Sequence, residues 1–427
     1  MKKLLEKIFK LEKHGTSITT EILAGIVGFF TVSYIIVVNA STLAEASIPY
    51  QGVAIATILI SVIGCLIMGF YANAPLILIP GMGVNALFSY TIVISMGLSY
   101  EKAFAAVIIS GLLFMILAFT PLARKLNESI PLVLKQATTV GLGLFLILIG
   151  LEKGGIVVKG AHSIISVGKF SDPFVLATLI TTIVTIILEI RKVTGAYLFG
   201  ILFGTGISFL LGVTGKVETS NLSILPFQDV FLKADFTGVT DLVFWNAVFT
   251  MTMVLVFETV GLTNGQVSVL KQEEKWGRIL KASSITTFIS GIFGTSPTVS
   301  ALESGSMFAS GAKTGLSTVT TAMLFAASFF LLPFIGFIPS SAIAPILIVI
   351  GISMLQEFKH MNLENPSEAF SALLIVVLIP FTYSIADGIA VGFITYPVFN
   401  LFSKKKKQLS FSMYAIAALF LLQFVMH

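Results

Sequence analysis

The chain has 427 residues, 56% of them hydrophobic and only 11% charged, with a formal net charge of +5. Soluble domains carry about 25% charged residues, so this composition excludes a water-soluble globular protein. The positive surplus does not point to nucleic acid, because the basic residues are scattered through short loops.

A basic start, MKKLLEKIFKLEKHG, leads into a full-length apolar span with no small-residue cleavage site, so no signal peptide is read. Taking about 20 apolar residues per crossing, the sequence predicts spans near 22–44, 51–70, 75–96, 101–123, 131–150, 173–190, 195–214, 241–264, 277–294, 297–311, 314–336, 339–357, 366–383 and 384–402. That makes about fourteen, several short or broken. A further apolar stretch, 409–426, follows the lysines at 404–407 and either spans or lies at the interface. With a cytoplasmic N-terminus, most Lys and Arg fall in inside loops, as the positive-inside rule requires. The expectation is an all-α, multi-pass protein of the cell membrane.

The single Cys65 excludes an intrachain disulfide. His14, His162, His360 and His427 all fall in loops or at the terminus, so no intramembrane histidine metal centre and no cofactor are expected. There is no HExxH, no P-loop and no His-based triad within reach of a Ser. The longest loop, near 215–240, cannot hold a nucleotide domain. The chain therefore reads as a secondary transporter driven by an ion gradient, not an enzyme.

Two segments interrupt the apolar pattern in corresponding places. Pro80 opens the break IPGMGVNALFSY in the third span, and Pro297 opens SPTVSALESGSM in the tenth. An odd number of spans separates them, so the segments run in opposite directions. Paired Pro/Gly-interrupted segments are the sequence signature of an inverted-repeat transporter with its site at the midplane. Unwound backbone at membrane depth must line a cavity or be buried in protein. Asn85 and Ser89 bring polar groups to the first break, where the competing reading is a kink for close helix packing. In the second, Thr295, Ser296, Thr298, Ser300, Ser304 and Ser306 crowd around Glu303.

Glu303, and Glu258 in the eighth span (VFETVGLTNG), are the acids at bilayer depth. A charge there costs about 2.5–3.5 kcal/mol on insertion scales, so such groups are rare and functional by default. For Glu303 the alternative is a protonated structural carboxyl among hydroxyls. For Glu258 an ion pair is disfavoured, because no Lys or Arg lies within the membrane portion of a span; a ligand N–H group fits instead. Asn39 (SYIIVVNAS) is either a polar site group or a helix-ending cap. Asp387 (FTYSIADG) reads more readily as a cap or Asx-turn. Phe29, Phe30, Tyr34, Phe88 and Phe257 are candidate stacking rings among 37 Phe, where packing is the simpler reading.

At TVSYIIVVNAS, IPGMGVNALFSY, FETVG, GTSPTVSALESGSMFASGAKTGLSTVTTA and PFTYSIADGIAVGF the chain resembles the nucleobase–cation symporter-2 family. Within it, the sequence is similar to the adenine/guanine/hypoxanthine permeases of the azaguanine-resistance branch. The resemblance covers nearly the whole chain and is most specific from Gly294 to Gly315. It implies a seven-plus-seven inverted repeat: a cytoplasmic leader 1–21, a core domain of spans 1–4 (22–123) and 8–11 (241–336), and a gate domain of spans 5–7 (131–214) and 12–14 (339–402). It also implies a homodimer and proton-coupled uptake of a purine base. Glu258 and Glu303 would hold the base and couple the proton, and Asn85 would shape the site; Thr295, Ser296 and Asn39 are the further candidate contacts, with Ser300, Phe88 and Asp387 beyond them. Two positions depart from the branch: Glu258-Thr259 stands where an Asp-Thr pair is usual, and Ala40 where a Pro usually follows the first-span Asn. The extra methylene moves the carboxylate by roughly 1–1.5 Å. The competing functions are a same-fold carrier of xanthine, uracil or an anion, a channel, and a membrane sensor that binds a purine without moving it. An anion carrier would keep basic groups, not two carboxylates, at its site.

Overall fold

The computed structural model describes residues 2–160, 163, 165–213, 223–403 and 408–425; His162, Lys216, Lys404 to Lys407 and His427 lie outside them. A short helix α1 (Lys2–Phe9) precedes a first crossing split at Ser33–Tyr34 into α2 (Ile18–Val32) and α3 (Ile35–Ala44). Ser17 caps α2 by accepting from the Thr20 N–H, so the helix of the first crossing starts at Ile18. Helix α4 (Tyr50–Ile67) follows, then strand β1 (Leu78–Pro80) and the short helix α5 (Met82–Ala86), which continues as a π-helix over Leu87–Ser95. Next come α6 (Tyr100–Phe119), α7 (Leu122–Ser129), α8 (Leu132–Lys153), a hairpin of β2 (Val157–Val158) and β3 (Ser166–Val167), α9 (Pro173–Ile190) and α10 (Ala196–Leu210).

The second half also carries a strand between helices. Helices α11 (Leu242–Leu270) and α12 (Trp276–Ile292) lead into strand β4 (Thr298–Ser300), a 3₁₀ turn at Leu302–Ser304 and the stub α13 (Gly305–Ala309). Then follow α14 (Gly315–Ala327), α15 (Leu332–Ile335), α16 (Ser340–Leu355), α17 (Pro366–Phe381), α18 (Ile385–Phe402) and α19 (Phe411–Val425). Among the described residues, nine helices or helix pairs are long and apolar enough to cross a bilayer, with four shorter apolar helices beside them. The architecture is thus helical and membrane-embedded.

Three local features differ from the expected run of helices. The expected span at 297–311 begins as strand and ends as a five-residue helix. Helix α12 is polar for a membrane-embedded helix, and Ser283, Ser284, Thr286, Thr287 and Ser290 are all buried inside the protein. The chain also contains strands, of which β1 and β4 matter most. Pro80 and Pro297 have no N–H and disfavour a helix interior, and here, among glycines and small polar residues, both segments unwind and satisfy their backbones on each other. Strands β1 and β4 pair antiparallel, with Leu78 opposite Ser300, Ile79 opposite Val299 and Pro80 opposite Thr298. The Gly81 N–H donates to Pro297 O at 3.2 Å and the Ala301 N–H to Ile77 O at 2.8 Å. Two side chains tie off the ends: Thr287 Oγ1 donates to Thr298 O at 2.9 Å, and Ser304 Oγ accepts from the Ile77 N–H at 3.0 Å. Gly81 is required at this crossing, since a Cβ there would stand 2.4 Å from Val299 Cγ2.

Candidate functional site

The β1–β4 crossing collects polar groups from four separate segments. Asn39, from α3, donates through Nδ2 to Thr57 Oγ1 at 2.8 Å and to Thr295 Oγ1 at 3.0 Å. Ser296 Oγ lies 3.1 Å from Asn39 Oδ1 and 2.6 Å from Asn85 Oδ1. All five residues are fully buried. One hydroxyl proton cannot serve two amide oxygens at once, so Ser296 is the shared hinge of this cluster and one oxygen is always less well satisfied. The structure therefore brings together Asn39, Asn85, Thr295 and Ser296. Asn39 lies inside α3 and does not cap its end.

Glu258 projects from α11 against the first turn of α5. A Cβ built on Gly83 would stand 3.5 Å from Glu258 Oε2 and 3.6 Å from Oε1, ordinary contact distance, so the carboxylate lies directly against this turn. Glu258 Oε2 is buried and accepts no hydrogen bond among the described residues. Buried polar atoms nearly always have partners, and an acidic oxygen without one at a helix start is a place for a donor. The hydroxyls of Thr259 and Thr263, farther along α11, are buried and unpaired in the same way.

Glu303 sits in the 3₁₀ turn after β4 and is half-buried. Tyr34, at the α2–α3 junction, donates to Glu303 Oε1 at 2.6 Å. That length fits a charge-assisted O–H···O⁻ bond. Tyr34 itself is fully buried and its ring meets Tyr197 of α10 edge-on, with centroids 5.0 Å apart. Ser306 Oγ closes the turn by donating to Glu303 O at 2.8 Å.

The remaining expected residues fall into other contacts. Ser300 donates to Gln266 Oε1 at 2.7 Å, while Gln266 Nε2 donates to Ala301 O at 2.8 Å. Gln266 thus clamps β4 to α11. Phe88 is buried and stacks on Phe104 of α6 with centroids 5.4 Å apart, and Phe257 stacks on Phe393 of α18 at 5.4 Å. Asp387 stands in the first turn of α18, whose cap is Ser384 Oγ, accepting from the Asp387 N–H at 3.2 Å. Tyr34, Thr57 and Gln266 enter the site as contacts that the motifs alone did not assign. Tyr34 had a signal, as a candidate ring one turn before the first-span Asn. Gln266 had a weaker one, as an amide about two turns beyond Glu258.

Comparison with known proteins fits this geometry. The profile of the Permease family (Xan_ur_permease) matches residues 19–391. The nucleobase transporter PlAzg2 of Paenibacillus larvae is 45% identical over 89% of this chain and 77% of its own length. The guanine/hypoxanthine permease PbuO of Bacillus subtilis is 36% identical over 97% and 99%, and the adenine permease AdeP of Escherichia coli is 30% identical over 99% and 96%. Among solved structures, the transmembrane domain of the cyanobacterial bicarbonate transporter BicA superposes with a TM-score of 0.64 at 15% identity, covering 88% of this chain and 97% of its own. Murine Slc26a9 gives a TM-score of 0.67 at 11% identity, over 90% and 69%. At those identities the likeness is one of fold.

Proposed function

The chain belongs to the Permease family of nucleobase–cation symporter-2 transporters, and on that premise we propose that it imports purine bases such as adenine, guanine or hypoxanthine together with protons. The observation that carries this reading is the pair of carboxylates at the crossed breaks. Among the described residues, Glu258 Oε2 is buried without a donor, and Glu303 is held by Tyr34 on one oxygen only. A purine supplies N–H donors for both, acceptors for the backbone N–H groups of the breaks, and a flat apolar face. The names of the relatives point the same way, since PbuO is a guanine/hypoxanthine permease and AdeP an adenine permease. An anion would be repelled by two carboxylates, which argues against carrying over the bicarbonate cargo of the structural neighbour BicA.

In this mechanism the base and a proton bind together on the outward-facing core, built from spans 1–4 and 8–11. Neutralising a buried acid lowers the cost of moving it past an apolar gate. The core then moves as a body against the gate, spans 5–7 and 12–14, and releases both inside. Fourteen spans in an inverted seven-plus-seven repeat, a cytoplasmic N-terminus in the cell membrane and a homodimer complete the reading. Antiparallel pairing of β1 with β4 supports the repeat, because it joins the two breaks as equivalent partners.

The test is uptake of radiolabelled adenine, guanine, hypoxanthine, xanthine and uracil into proteoliposomes, with and without an inward proton gradient. Gradient-driven accumulation of at least one purine is expected. Binding without accumulation would replace the transporter with a sensor. No response to any base would end the purine reading.

A further inference from the structure

Resting on the reading that Glu303 meets the base, we propose that Tyr34 is the positioning residue of that carboxylate and links its state to the gate through Tyr197. The argument begins with where Tyr34 sits. It occupies the two-residue junction between α2 and α3, where both residues keep right-handed helical dihedrals, so the first span runs on through it and fixes where the ring points. Its hydroxyl donates to Glu303 Oε1 at 2.6 Å, across 269 residues of sequence. Its ring rests edge-on against Tyr197 of α10, and the Tyr197 hydroxyl lies beside Ser353 of α16. One side chain thus touches the site acid from the proposed core and an aromatic ring of the proposed gate.

Two consequences follow from the chemistry. With Oε1 held by Tyr34, the carboxylate is anchored at one oxygen and Oε2 is left for the ligand N–H. A phenol oxygen that donates to a carboxylate must also reorganise when that carboxylate gains a proton or a ligand, because the acceptor weakens. Reorganisation of the hydroxyl moves the ring, and the ring is packed on Tyr197. The titratable groups that face Glu303 are Tyr34, Tyr197 and Glu189 at the end of α9. Tyr34 alone among them bonds it.

Three full-length variants in lipid test the assignment beside wild type: Tyr34→Phe, Tyr197→Leu and Glu303→Gln. Infrared difference spectra between acid and alkaline buffer, without any base, identify the Glu303 carboxyl band as the one lost in Glu303→Gln. In Tyr34→Phe, which keeps the ring and removes the donor, that band is expected to shift in frequency, and KM for the transported purine to rise roughly tenfold. In Tyr197→Leu the band is expected to stay while the maximal rate falls several-fold at nearly constant KM. A Glu303 band unmoved by Tyr34→Phe would overturn the positioning role. A Tyr197→Leu variant with wild-type rate would overturn the link to the gate. Retained purine binding by Glu303→Gln would instead sink the site reading beneath the inference, and the spectral arm keeps the two failures apart because it uses no ligand.

Discussion

Glu258 and Glu303 differ in what holds them, and the difference sets what each substitution does. Glu303 already has a donor in Tyr34, whereas Glu258 Oε2 has none among the described residues. Replacing either by Gln keeps the volume and removes the titratable carboxyl. A hydrogen bond to a charged group is worth about 1.5–3 kcal/mol, so base affinity should fall roughly 10- to 150-fold in each variant. Accumulation above the equilibrium level should be lost in at least one. If both Glu258→Gln and Glu303→Gln concentrated a purine as wild type does under a proton gradient, the carboxylates would have no coupling role. Ser296 gives a contrasting prediction about stability. Ser296→Ala leaves Asn39 Oδ1 and Asn85 Oδ1 buried without their shared hydroxyl, at about 1–3 kcal/mol for the unsatisfied acceptors. A lowered Tm that a saturating purine partly restores is the expected result; an unchanged Tm would mean that water or an amide rotation replaces the hydroxyl.

Among the elements, α6 and α12 meet at backbone distance. A Cβ on Gly111 would stand 2.6 Å from Phe288 Cα, and one on Gly291 would stand 2.8 Å from Phe104 O. Small residues at such seams let helices approach where lipid gives no hydrophobic drive between them. Gly111→Val should force the pair apart and cost about 1–3 kcal/mol, as overpacking does. The control is Gly206→Ala in α10, where nothing lies within 4 Å. A melt in detergent should show a lowered Tm for the first and no loss for the second; equal melting would remove the seam from the account. The element level also marks where the sequence was legible. Pro80, Pro297 and the glycines around them announce two unwound segments, because a missing N–H is a local property. Their pairing as β1 and β4 is not local. Three residues of strand form only because two breaks far apart in sequence cross at one point. Asn39, Asn85 and Ser296 could be named from the motifs, yet the hinge they share through Ser296 depends on that crossing. Tyr34 and Gln266 were harder to assign for the same reason, since their partners lie at positions 303, 300 and 301.

The whole molecule is tied across its two ends by different chemistry. On the side expected to face outward, Lys153 at the end of α8 pairs with Glu45 beyond α3 at 2.9 Å and donates to Ser41 O at 3.2 Å, joining the first and fifth spans. The side expected to be cytoplasmic is held by a network that draws on both halves. Glu21 accepts from the N–H groups of Lys313, Thr314 and Ser317 at the start of α14, a favourable place for a carboxylate. Asn73 Oδ1 accepts from the Gly315 N–H, and Lys275, in the turn between α11 and α12, donates to Asn73 O. Burial pulls the Lys275 ammonium down from 10.5 to about 8, against the opposing pull of Glu274 and Glu21 and with the help of Arg278 and Lys13. The sign of the stability effect follows. Between about pH 8 and 10.5 the unfolded chain keeps this proton and the folded chain has released it, so stability rises with pH across that window and is flat below it. Lys275→Met removes the titration while keeping the stem. The Tm of wild type minus that of Lys275→Met, measured in detergent from pH 7 to pH 10, should therefore stay level to about pH 8 and then climb. A difference that is constant throughout, or that falls, would mean the ammonium is solvated and the clasp around Asn73 does not bury it.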